Sequence, residues 1–350
     1  MSITQLPIED FLQLSRSNLL LDVRSPGEFA HAHIPHAVSL PLFTDAERKA
    51  VGTAYKQESK QHAVKLGLKY FGPNMVQMVE TVEGLMGGVK DGSINTVLVH
   101  CWRGGMRSAG VAWLLDLYGF KVHTLVGGYK AYRNWVLEQF DKAYNIQVLG
   151  GLTGCGKTGL LHQIKKAGER IIDLEGLANH KGSAFGGLDG GIQPTGEMFE
   201  NRLASELFDA SADGAAIWLE NESQRIGQIN MPSSFFRNIR MKPVLFLDIP
   251  FEERLNHIVG EYGKHQKEAL INTIVRIKKR LGGLETKHAI NYLLEDNVEE
   301  CFRILLAYYD KWYMKNTLDK ENPEQQVTTI HLEKVDTVAN AKKILEYARR

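Results

Sequence analysis

Gly150-Gly-Leu-Thr-Gly-Cys-Gly-Lys-Thr158 follows the apolar run 146–149 and precedes the helix-like segment 160–166. Residues 151–158 match the phosphate-loop pattern G-x-x-x-x-G-K-[S/T]. The glycines let backbone N–H groups approach phosphate oxygens, Lys157 supplies positive charge, and the Thr158 hydroxyl typically contacts a phosphate-bound Mg²⁺. The sequence therefore predicts an α/β fold around a phosphate site, with Mg²⁺ as a candidate cofactor. The predicted phosphate-binding residues are Gly151, Thr153, Gly154, Cys155, Gly156, Lys157 and Thr158.

The same stretch contains the weaker pattern of a dinucleotide-binding turn, Gly154-x-Gly-x-x-Gly159, with Asp173 near the end of the next predicted strand. Lys157-Thr158 and the additional residues between the strand and Gly154 favour the phosphate loop over the tighter Rossmann turn. A nucleotide kinase is the default interpretation of such a loop. Arg254 stands where kinases often keep a phosphate-binding arginine.

Carboxylates accompany the predicted strands of this second half of the chain. Strands are predicted at 170–174, 215–219, 244–249 and 327–332, and the chain is mainly helical from Phe251 onward. Carboxylates near a phosphate loop bind Mg²⁺ or act as a general base, although ordinary strand-end solvation explains any one of them equally well. The candidates are Asp173, Glu175, Glu220 and Glu222.

The first half of the chain alternates β-like runs with helical stretches such as 108–118. The runs are 19–23, 38–40, 96–100 and 121–125. This alternation predicts a parallel sheet covered by helices. The polar helical stretch 45–88 is long for a connection, and we interpret it as an insertion of undefined role. At about 150 residues per domain, the chain of 350 residues predicts two domains, which we place at 1–137 and 138–350.

The composition is that of a globular protein, with 43% hydrophobic and 24% charged residues. The formal net charge of +1 means that any site for a polyanion must be local. No apolar run approaches the roughly 20 residues that cross a bilayer, and we find no secretory signal at the N-terminus. The three cysteines cannot all pair, which favours a reducing compartment. We expect a cytoplasmic protein with no membrane association.

A second candidate site is the loop His100-Cys-Trp-Arg-Gly-Gly-Met-Arg-Ser108, which follows a β-like run and opens a helix. Loop N–H groups and the helix N-terminus should converge on Cys101, and Arg103 and Arg107 add positive charge. These features favour a thiolate with an anion bound beside it. Cys101, Arg103 and Arg107 are therefore the predicted catalytic residues. The alternative is a small, buried, structural cysteine.

The motifs around this loop resemble those of the rhodanese family. Asp22-Val-Arg-Ser-Pro-Gly-Glu-Phe29, His33-Ile-Pro-His-Ala37, the Cys101 loop and Leu125-Val-Gly-Gly-Tyr129 occur in that family's usual order. The resemblance implies that Cys101 carries sulfur or selenium. His-Cys-x5-Arg-Ser is also the signature of tyrosine phosphatases, but the first two motifs leave only the phosphatases of rhodanese fold as competitors. A loop wide enough for phosphate could also admit a phosphorylated chalcogen donor, which we state as a hypothesis.

Local basic residues are candidates for contacts with RNA phosphates. The stretch from Ser223 to Leu247 holds four of them and no acid. They are Arg225, Arg237, Arg240 and Lys242. A second cluster, Arg276 with residues 278–280, is explained equally well as a solvated helix face.

Taken together, the two halves resemble the bacterial tRNA 2-selenouridine synthase family over nearly the whole chain. Further segments carry the resemblance, namely Glu47–Gln57, Asp173–Ser183 and Trp218–Gly227. The resemblance implies a rhodanese-like domain followed by a P-loop NTPase-like α/β domain with a helical C-terminal part. It also implies a transferase that converts wobble 2-thiouridine to 2-selenouridine in tRNAs for Lys, Glu and Gln.

In that family's reaction, geranyl diphosphate first gives S-geranyl-2-thiouridine, and selenophosphate then supplies selenium. A selenophosphate-producing enzyme is a candidate partner. Phe235, Phe236 and Met241 are candidates for contact with the ten-carbon tail, with core packing as the alternative.

Two other functions stay open at this point. One is a rhodanese-fold phosphatase or sulfurtransferase fused to a P-loop kinase. The other is a non-enzymatic RNA-binding or signalling module, which intact Cys101 and Lys157-Thr158 disfavour because a pure binder needs no activated thiol.

Overall fold

The computed structural model describes residues 3–87, 95–188, 191–317 and 326–348. The chain divides into two compact units, Met1–Gln139 and Phe140–Arg350. The domain limit predicted from the sequence lies between residues 137 and 138. In the described ranges, no helix is both long and apolar enough to cross a membrane.

The first unit contains one five-stranded sheet in the order β1-β5-β4-β2-β3, with every pair of strands parallel. Both faces of such a sheet are covered, so its central strands are mainly apolar runs. The strands are β1 (Thr4–Leu6), β2 (Leu19–Asp22), β3 (Val38–Ser39), β4 (Thr96–His100) and β5 (Lys121–Leu125). The helices are α1 (Ile8–Ser15), α2 (Pro26–His31), α3 (Asp45–Gln57), α4 (Lys60–Leu85), α5 (Met106–Tyr118) and α6 (Gly128–Gln139).

The predicted insertion 45–88 forms the two helices α3 and α4, while Gly88 lies outside the described residues. The side chains of Thr44 and Ser59 accept hydrogen bonds at the N-termini of these helices, and this explains the break between them. Phe71 and Val82 of α4 belong to the main hydrophobic core of the first unit. The insertion is therefore built into this unit rather than attached to its surface.

The second unit contains a parallel five-stranded sheet in the order β12-β11-β6-β8-β7 and a short hairpin. Its strands are β6 (Ile146–Gly151), β7 (Arg170–Ile172), β8 (Ile217–Glu220), β11 (Val244–Asp248) and β12 (Val327–His331), and the hairpin is β9 (Arg225–Ile226) with β10 (Ile229–Asn230). The helices are α7 (Lys157–Lys166), α8 (Leu174–Ala178), α9 (Gly196–Ala210), α10 (Ser233–Arg240), α11 (Phe251–Tyr262), α12 (Lys267–Leu281), α13 (Gly283–Leu294), α14 (Val298–Thr317) and α15 (Thr337–Ala348).

Helices α11 to α14 share a hydrophobic cluster of their own, which includes Leu255, Leu270, Phe302 and Leu305. The predicted helical region after Phe251 is thus confirmed, as is the α/β class of both units. The strand predicted at 170–174 was too long, because Asp173 ends it by capping α8. The phosphate loop follows β6, the central strand, so it lies at the carboxyl edge of the sheet, where ligands bind in open α/β folds.

Candidate active sites

Cys101 lies in the loop between β4 and α5, and its side chain is 3% exposed. Its Sγ atom is 3.2 Å from the Ser108 Oγ atom, which also lies 3.1 Å from the Gly105 carbonyl oxygen, so the one hydroxyl proton can be donated to either of these two acceptors. Burial alone would raise the pKa of the Cys101 thiol. Hydrogen bonds from Ser108 and from the Arg103 backbone, together with the charge of Arg107, outweigh burial and lower this pKa. The loop therefore favours the thiolate, which is the reactive form of cysteine.

Of the two predicted arginines, Arg107 is fixed in position and Arg103 is exposed. The Arg107 Nη1 atom donates to Glu28 Oε2 over 2.9 Å. Glu28 also accepts a hydrogen bond from the Ser25 backbone N–H over 3.1 Å. Burial would raise the pKa of Glu28, but the charge and the hydrogen bond of Arg107 lower it overall. Arg107 is thus held beside the cysteine loop by an ionised carboxylate.

Close backbone contacts fix the shape of this loop. The Tyr129 N–H donates to the Cys101 carbonyl over 2.8 Å, and the Lys130 N–H donates to the Trp102 carbonyl over 2.9 Å. Gly128 has a φ of 60°, and a Cβ atom there would lie 2.4 Å from the Cys101 carbonyl oxygen. Only glycine fits at this distance. The segment that ends at Tyr129 therefore positions the loop rather than the reacting groups.

A buried ion pair supports the same region. Arg24 and Asp22 are almost fully buried, and Arg24 Nη2 donates to Asp22 Oδ2 over 2.6 Å. The Arg24 guanidinium also lies 3.7 Å from the centre of the Tyr129 ring. Burial lowers the pKa of neighbouring His100 to about 4, so His100 is neutral at pH 7. In the sequence, Asp22 and Arg24 stand out only as part of a longer motif. Charged residues directly at the end of an apolar strand were the available signal that they pair.

The phosphate loop connects β6 to α7 through glycines of positive φ, with values of 82° at Gly154 and 72° at Gly156. Lys157 Nζ donates to the Gly151 carbonyl over 3.0 Å. Burial would lower the pKa of Lys157, but its interactions with Cys155, Tyr313 and nearby carboxylates raise it overall. Lys157 is therefore positively charged where the loop N–H groups would meet phosphate.

Three of the four predicted carboxylates gather beside Lys157 and Thr158. The Thr158 hydroxyl donates to Glu175 Oε2 over 2.9 Å. Carboxylate oxygens of Glu175 and Glu222 approach the same glycine, Gly182, closely enough that a Cβ there would lie 2.8 Å from each. Glu220, at the end of β8, is fully buried.

The pKa values of these three carboxylates are raised. For Glu175, burial and the charge of Glu222 raise the pKa to about 7, against the opposing effect of Lys157. Burial is also the main cause for Glu220 and Glu222. The side chain of the fourth candidate, Asp173, accepts the Gly176 N–H over 2.7 Å as the N-cap of α8, and its charge contributes to the raised pKa of Glu175 and Glu220.

The residues present fit a Mg²⁺ ion that is held jointly by protein and phosphate. Both carboxylate oxygens of Glu220 are buried with no hydrogen-bond partner within the described ranges, and a nearby cation would satisfy them. The same part of the chain offers no group of three or more His, Cys, Asp or Glu side chains arranged to hold a metal alone. Thr158 and Glu175 would hold the ion together with phosphate oxygens and water, as is usual for Mg²⁺.

A cavity of about 380 Å³ opens beside the phosphate loop. Residues of the loop, carboxylates, basic residues and aromatic side chains line it. They include Gly154, Lys157, Thr158, Glu175, Lys181, Glu222, Arg240, Ile258, Tyr262, Tyr309, Trp312 and Tyr313. The aromatic residues on α11 and α14 were not predicted from the sequence to lie at this site. Their helical spacing at 309, 312 and 313 was the signal, but aromatic residues at that spacing usually belong to a core.

The sequence suggested that Arg254 binds phosphate, but in the structure its guanidinium is occupied by other contacts. It is 3% exposed, pairs with Asp310 through two hydrogen bonds of 2.9 and 2.7 Å, and donates to the Thr153 carbonyl over 3.0 Å. Arg254 therefore braces the phosphate loop from α11.

The predicted RNA-binding residues separate in the structure. Arg240 lines the cavity and donates to Asn221 Oδ1 over 3.1 Å. Lys242 donates to the Tyr144 carbonyl over 2.7 Å, and exposed Arg225 donates to the Gly227 carbonyl over 3.0 Å. Arg237 is exposed on α10. The cluster on α12 is exposed as well, at Arg276, Lys278, Lys279 and Arg280.

The residues considered for an apolar tail lie elsewhere. Phe235 is buried and packs against Phe140 with ring centres 6.1 Å apart, whereas Met241 is 58% exposed. Phe236 lies against Arg240, whose guanidinium is 4.9 Å from the ring centre. Neither Phe235, Phe236 nor Met241 is among the residues that line the cavity.

Two family models of known proteins match this chain, one in each of its two units. The family model of the rhodanese-like domain matches residues 8–134. The family model described as the tRNA 2-selenouridine synthase AAA domain matches residues 144–344. The chain is therefore a rhodanese domain followed by a P-loop domain.

Curated relatives match this chain over most of its length and most of theirs. A tRNA 2-selenouridine synthase of Hydrogenovibrio crunogenus is 36% identical, over 87% of this chain and 91% of the relative. One from Sulfurovum sp. is 36% identical over 87% of this chain and 90% of the relative, and one from Pseudomonas syringae pv. syringae is 33% identical over 84% and 87%. The chain belongs to the tRNA 2-selenouridine synthase family. It is accordingly an enzyme of the transferase class.

Proposed function

We propose that this enzyme replaces the sulfur of wobble 2-thiouridine in tRNA with selenium, in two steps that use its two candidate sites. The relatives are named for a selenouridine product, and selenation of a tRNA uridine is the function that family membership supports. We extend it to the tRNAs for Lys, Glu and Gln. The reaction would take place in the cytoplasm, where these tRNAs are found.

The first step is assigned to the phosphate loop. The sulfur of 2-thiouridine attacks the first carbon of geranyl diphosphate, a C–S bond forms, the C–O bond breaks, and diphosphate leaves. Lys157 and the loop N–H groups would stabilise the charge that develops on the diphosphate. A bound Mg²⁺ would supply further positive charge to the leaving group. Alkylation turns the sulfur into a better leaving group for the next step.

The second step is assigned to the cysteine loop. Selenophosphate is the proposed donor, and the Cys101 thiolate would attack its phosphorus atom, so that an S–P bond forms, the P–Se bond breaks and selenide is released at the site. Water then cleaves the S–P bond, which regenerates Cys101 and releases phosphate. Arg107 and the loop N–H groups would hold the phosphate part of the donor. Selenium then forms a bond to the uridine carbon while the geranyl thiol leaves. An enzyme that makes selenophosphate is a proposed partner.

The observation that carries this proposal is the arrangement around the buried Cys101 thiol, whose Sγ atom lies 3.2 Å from Ser108 Oγ and which the loop backbone and the charge of Arg107 favour as the thiolate. A structural cysteine in an apolar core needs no such surroundings, whereas a nucleophilic cysteine needs the thiolate. The test is nucleoside mass spectrometry on thiolated tRNA that has been incubated with the pure protein. Geranyl diphosphate alone should give S-geranyl-2-thiouridine, and subsequent selenophosphate should give 2-selenouridine. If each donor leaves the 2-thiouridine unchanged, alone and in sequence, the proposal is wrong.

A further inference from the structure

The cavity at the phosphate loop has two walls of different chemistry. One wall is polar and charged, and it is formed by the loop with Lys157, Thr158 and Glu175. The other wall is mainly aromatic and apolar, and it comes from α11 and α14, although α11 also contributes the polar His257 and Glu261 to the lining. Its aromatic and apolar residues are Ile258, Tyr262, Tyr309, Trp312 and Tyr313. Phosphate binding requires only the first wall, so the second wall indicates a ligand that has an apolar part as well.

A smaller recess of about 20 Å³ continues the apolar wall. It shares five residues with the cavity, namely Thr153, Ser183, Ile258, Tyr262 and Tyr309. The rest of its lining is entirely apolar and consists of Phe185, Phe302, Leu305 and Leu306. These four side chains are buried members of the core formed by the C-terminal helices. A space of this size holds about one water-sized or methyl-sized group.

We propose that this wall and recess bind the apolar tail of a diphosphate ester, with the diphosphate on the phosphate loop and the end of the tail against Phe302 and Leu306. The inference rests on the proposed function and adds to it the residues that set tail length. Tail carbons that lie along Ile258 and Tyr309 lose water contact, and each buried methylene tightens binding by about fourfold. Carbons beyond the recess meet packed core and gain nothing, so the site has a length limit.

Calorimetric titration of the full chain in Mg²⁺ tests the tail site directly. The ligands are inorganic diphosphate, the dimethylallyl, geranyl and farnesyl diphosphates, and ATP. We expect the affinity to rise by at least about tenfold from inorganic to geranyl diphosphate and not to rise further for farnesyl diphosphate. Equal affinity for all four diphosphates would overturn the proposal. So would ATP binding that is tighter than that of every prenyl diphosphate and is lost in Trp312→Ala, because the aromatic wall would then serve a nucleobase.

Two substitutions in the recess change its size in opposite directions. Phe302→Leu enlarges the recess and should raise the affinity for farnesyl relative to geranyl diphosphate by about tenfold. Leu306→Phe fills it and should shift the preference towards dimethylallyl diphosphate. Phe199→Leu on α9 is the matched control, because Phe199 is equally buried but does not line either space. It should leave the preference unchanged.

The affinity for inorganic diphosphate shows in each variant whether the loop is intact. If inorganic diphosphate still binds while neither recess variant changes the length preference, the recess does not hold the tail. This result differs from failure of the proposed function, in which geranyl diphosphate binds with the expected length dependence but thiolated tRNA is not geranylated.

Discussion

Arg107 in the cysteine loop donates a 2.9 Å hydrogen bond to Glu28, which lies on α2 after the second strand of the first unit. The bond joins two segments that are 79 residues apart in the chain. It holds the guanidinium close to Cys101, whose pKa the charge of Arg107 lowers. The carboxylate also neutralises part of that charge, so Glu28 both positions Arg107 and limits its effect.

Removal of the Glu28 charge should therefore make Cys101 more acidic. In Glu28→Gln the amide oxygen still accepts a hydrogen bond from Arg107, but the guanidinium charge is no longer compensated. We expect alkylation of Cys101 by iodoacetamide, followed at the peptide level by mass spectrometry, to reach half-maximal rate at a lower pH than in the wild type. Glu58→Gln, at an exposed glutamate of the same unit, should leave the midpoint in place. A midpoint that moves upward in Glu28→Gln would show that positioning of Arg107 matters more than its charge.

Substitution of Cys101 should separate the two proposed steps. Cys101→Ser keeps the size of the side chain and its contact with Ser108 but has no thiolate to attack selenophosphate. We expect no 2-selenouridine from this variant and nearly wild-type formation of S-geranyl-2-thiouridine, both measured by nucleoside mass spectrometry. Cys301→Ser, at a buried cysteine of the C-terminal helices, controls for the loss of any thiol. Equal loss of both products in folded Cys101→Ser protein would contradict the division of labour.

Substitution in the phosphate loop should impair the other proposed step, geranylation. Lys157→Ala removes a charge that would face the departing diphosphate, and the removal of one such group typically costs about 10²- to 10³-fold in rate. Geranylation under single-turnover conditions is the measurement. Lys166→Ala, at the exposed C-terminal end of the same helix, should stay within about twofold of the wild-type rate because surface substitutions have small effects. If geranylation survives in Lys157→Ala, diphosphate is bound elsewhere.

The raised pKa of Glu175 predicts how stability changes with pH. Its value is about 7 in the folded protein against an ordinary 4.5, so the folded state binds the proton more tightly than the unfolded state. Stability contributed by the protonated form is therefore present below about pH 4.5 and is lost as the pH rises to about 7. Glu175→Gln cannot ionise and should avoid this loss, which amounts to at most about 3 kcal/mol.

Urea unfolding of Glu175→Gln and of the wild type, at about pH 5 and about pH 8, measures this difference. The stability of the variant relative to the wild type should increase with pH. Glu346→Gln, at an exposed position on α15, should give the same difference from the wild type at both pH values. A constant difference for Glu175→Gln as well would mean that its carboxylate is already ionised at low pH.

The two glycine-containing loops could be predicted from the sequence because their signal is local. A strand, a loop of small residues with a lysine or cysteine, and a helix lie within about twenty residues. Strand β1 was missed because three residues at a sheet edge, two of them exposed, carry no apolar pattern. The role of Asp173 could not be assigned either, since an aspartate that caps a helix and one that binds a metal look alike in sequence.

Sequence patterns could not predict which residues far apart in the chain meet at the site, because such contacts depend on tertiary packing. The aromatic wall of the cavity comes from α14, about 150 residues after the phosphate loop, and the packing that brings them together is tertiary. The same holds for Arg240, which a basic stretch marked as an RNA contact and the fold places in the cavity. The basic stretch from Ser223 to Leu247 was recognised by its composition alone, but the direction of each side chain depends on its position along α10.

The direction of the Arg240 side chain, which lines the cavity, changes how RNA binding should be tested. Arg240 lines the cavity and bonds to Asn221, so its loss would disturb the phosphate site as well. The double substitution Arg237→Ala with Arg240→Ala should weaken tRNA binding and reduce the salt dependence by up to about two phosphate contacts. It should also reduce catalysis. Arg237 alone, exposed on the same helix, separates the two effects.

In Arg237→Ala we expect tRNA affinity to fall, and the slope of log affinity against log salt concentration to shrink by about 0.7 to 0.9, the value of one phosphate contact. The rate at saturating tRNA and the affinity for inorganic diphosphate should stay at wild-type values, because Arg237 is not among the residues that line the cavity. Lys278→Ala with Lys279→Ala is the matched control, since both lysines are exposed on α12. An unchanged slope in Arg237→Ala together with a smaller slope in the α12 variant would place the RNA on the surface of α12 instead.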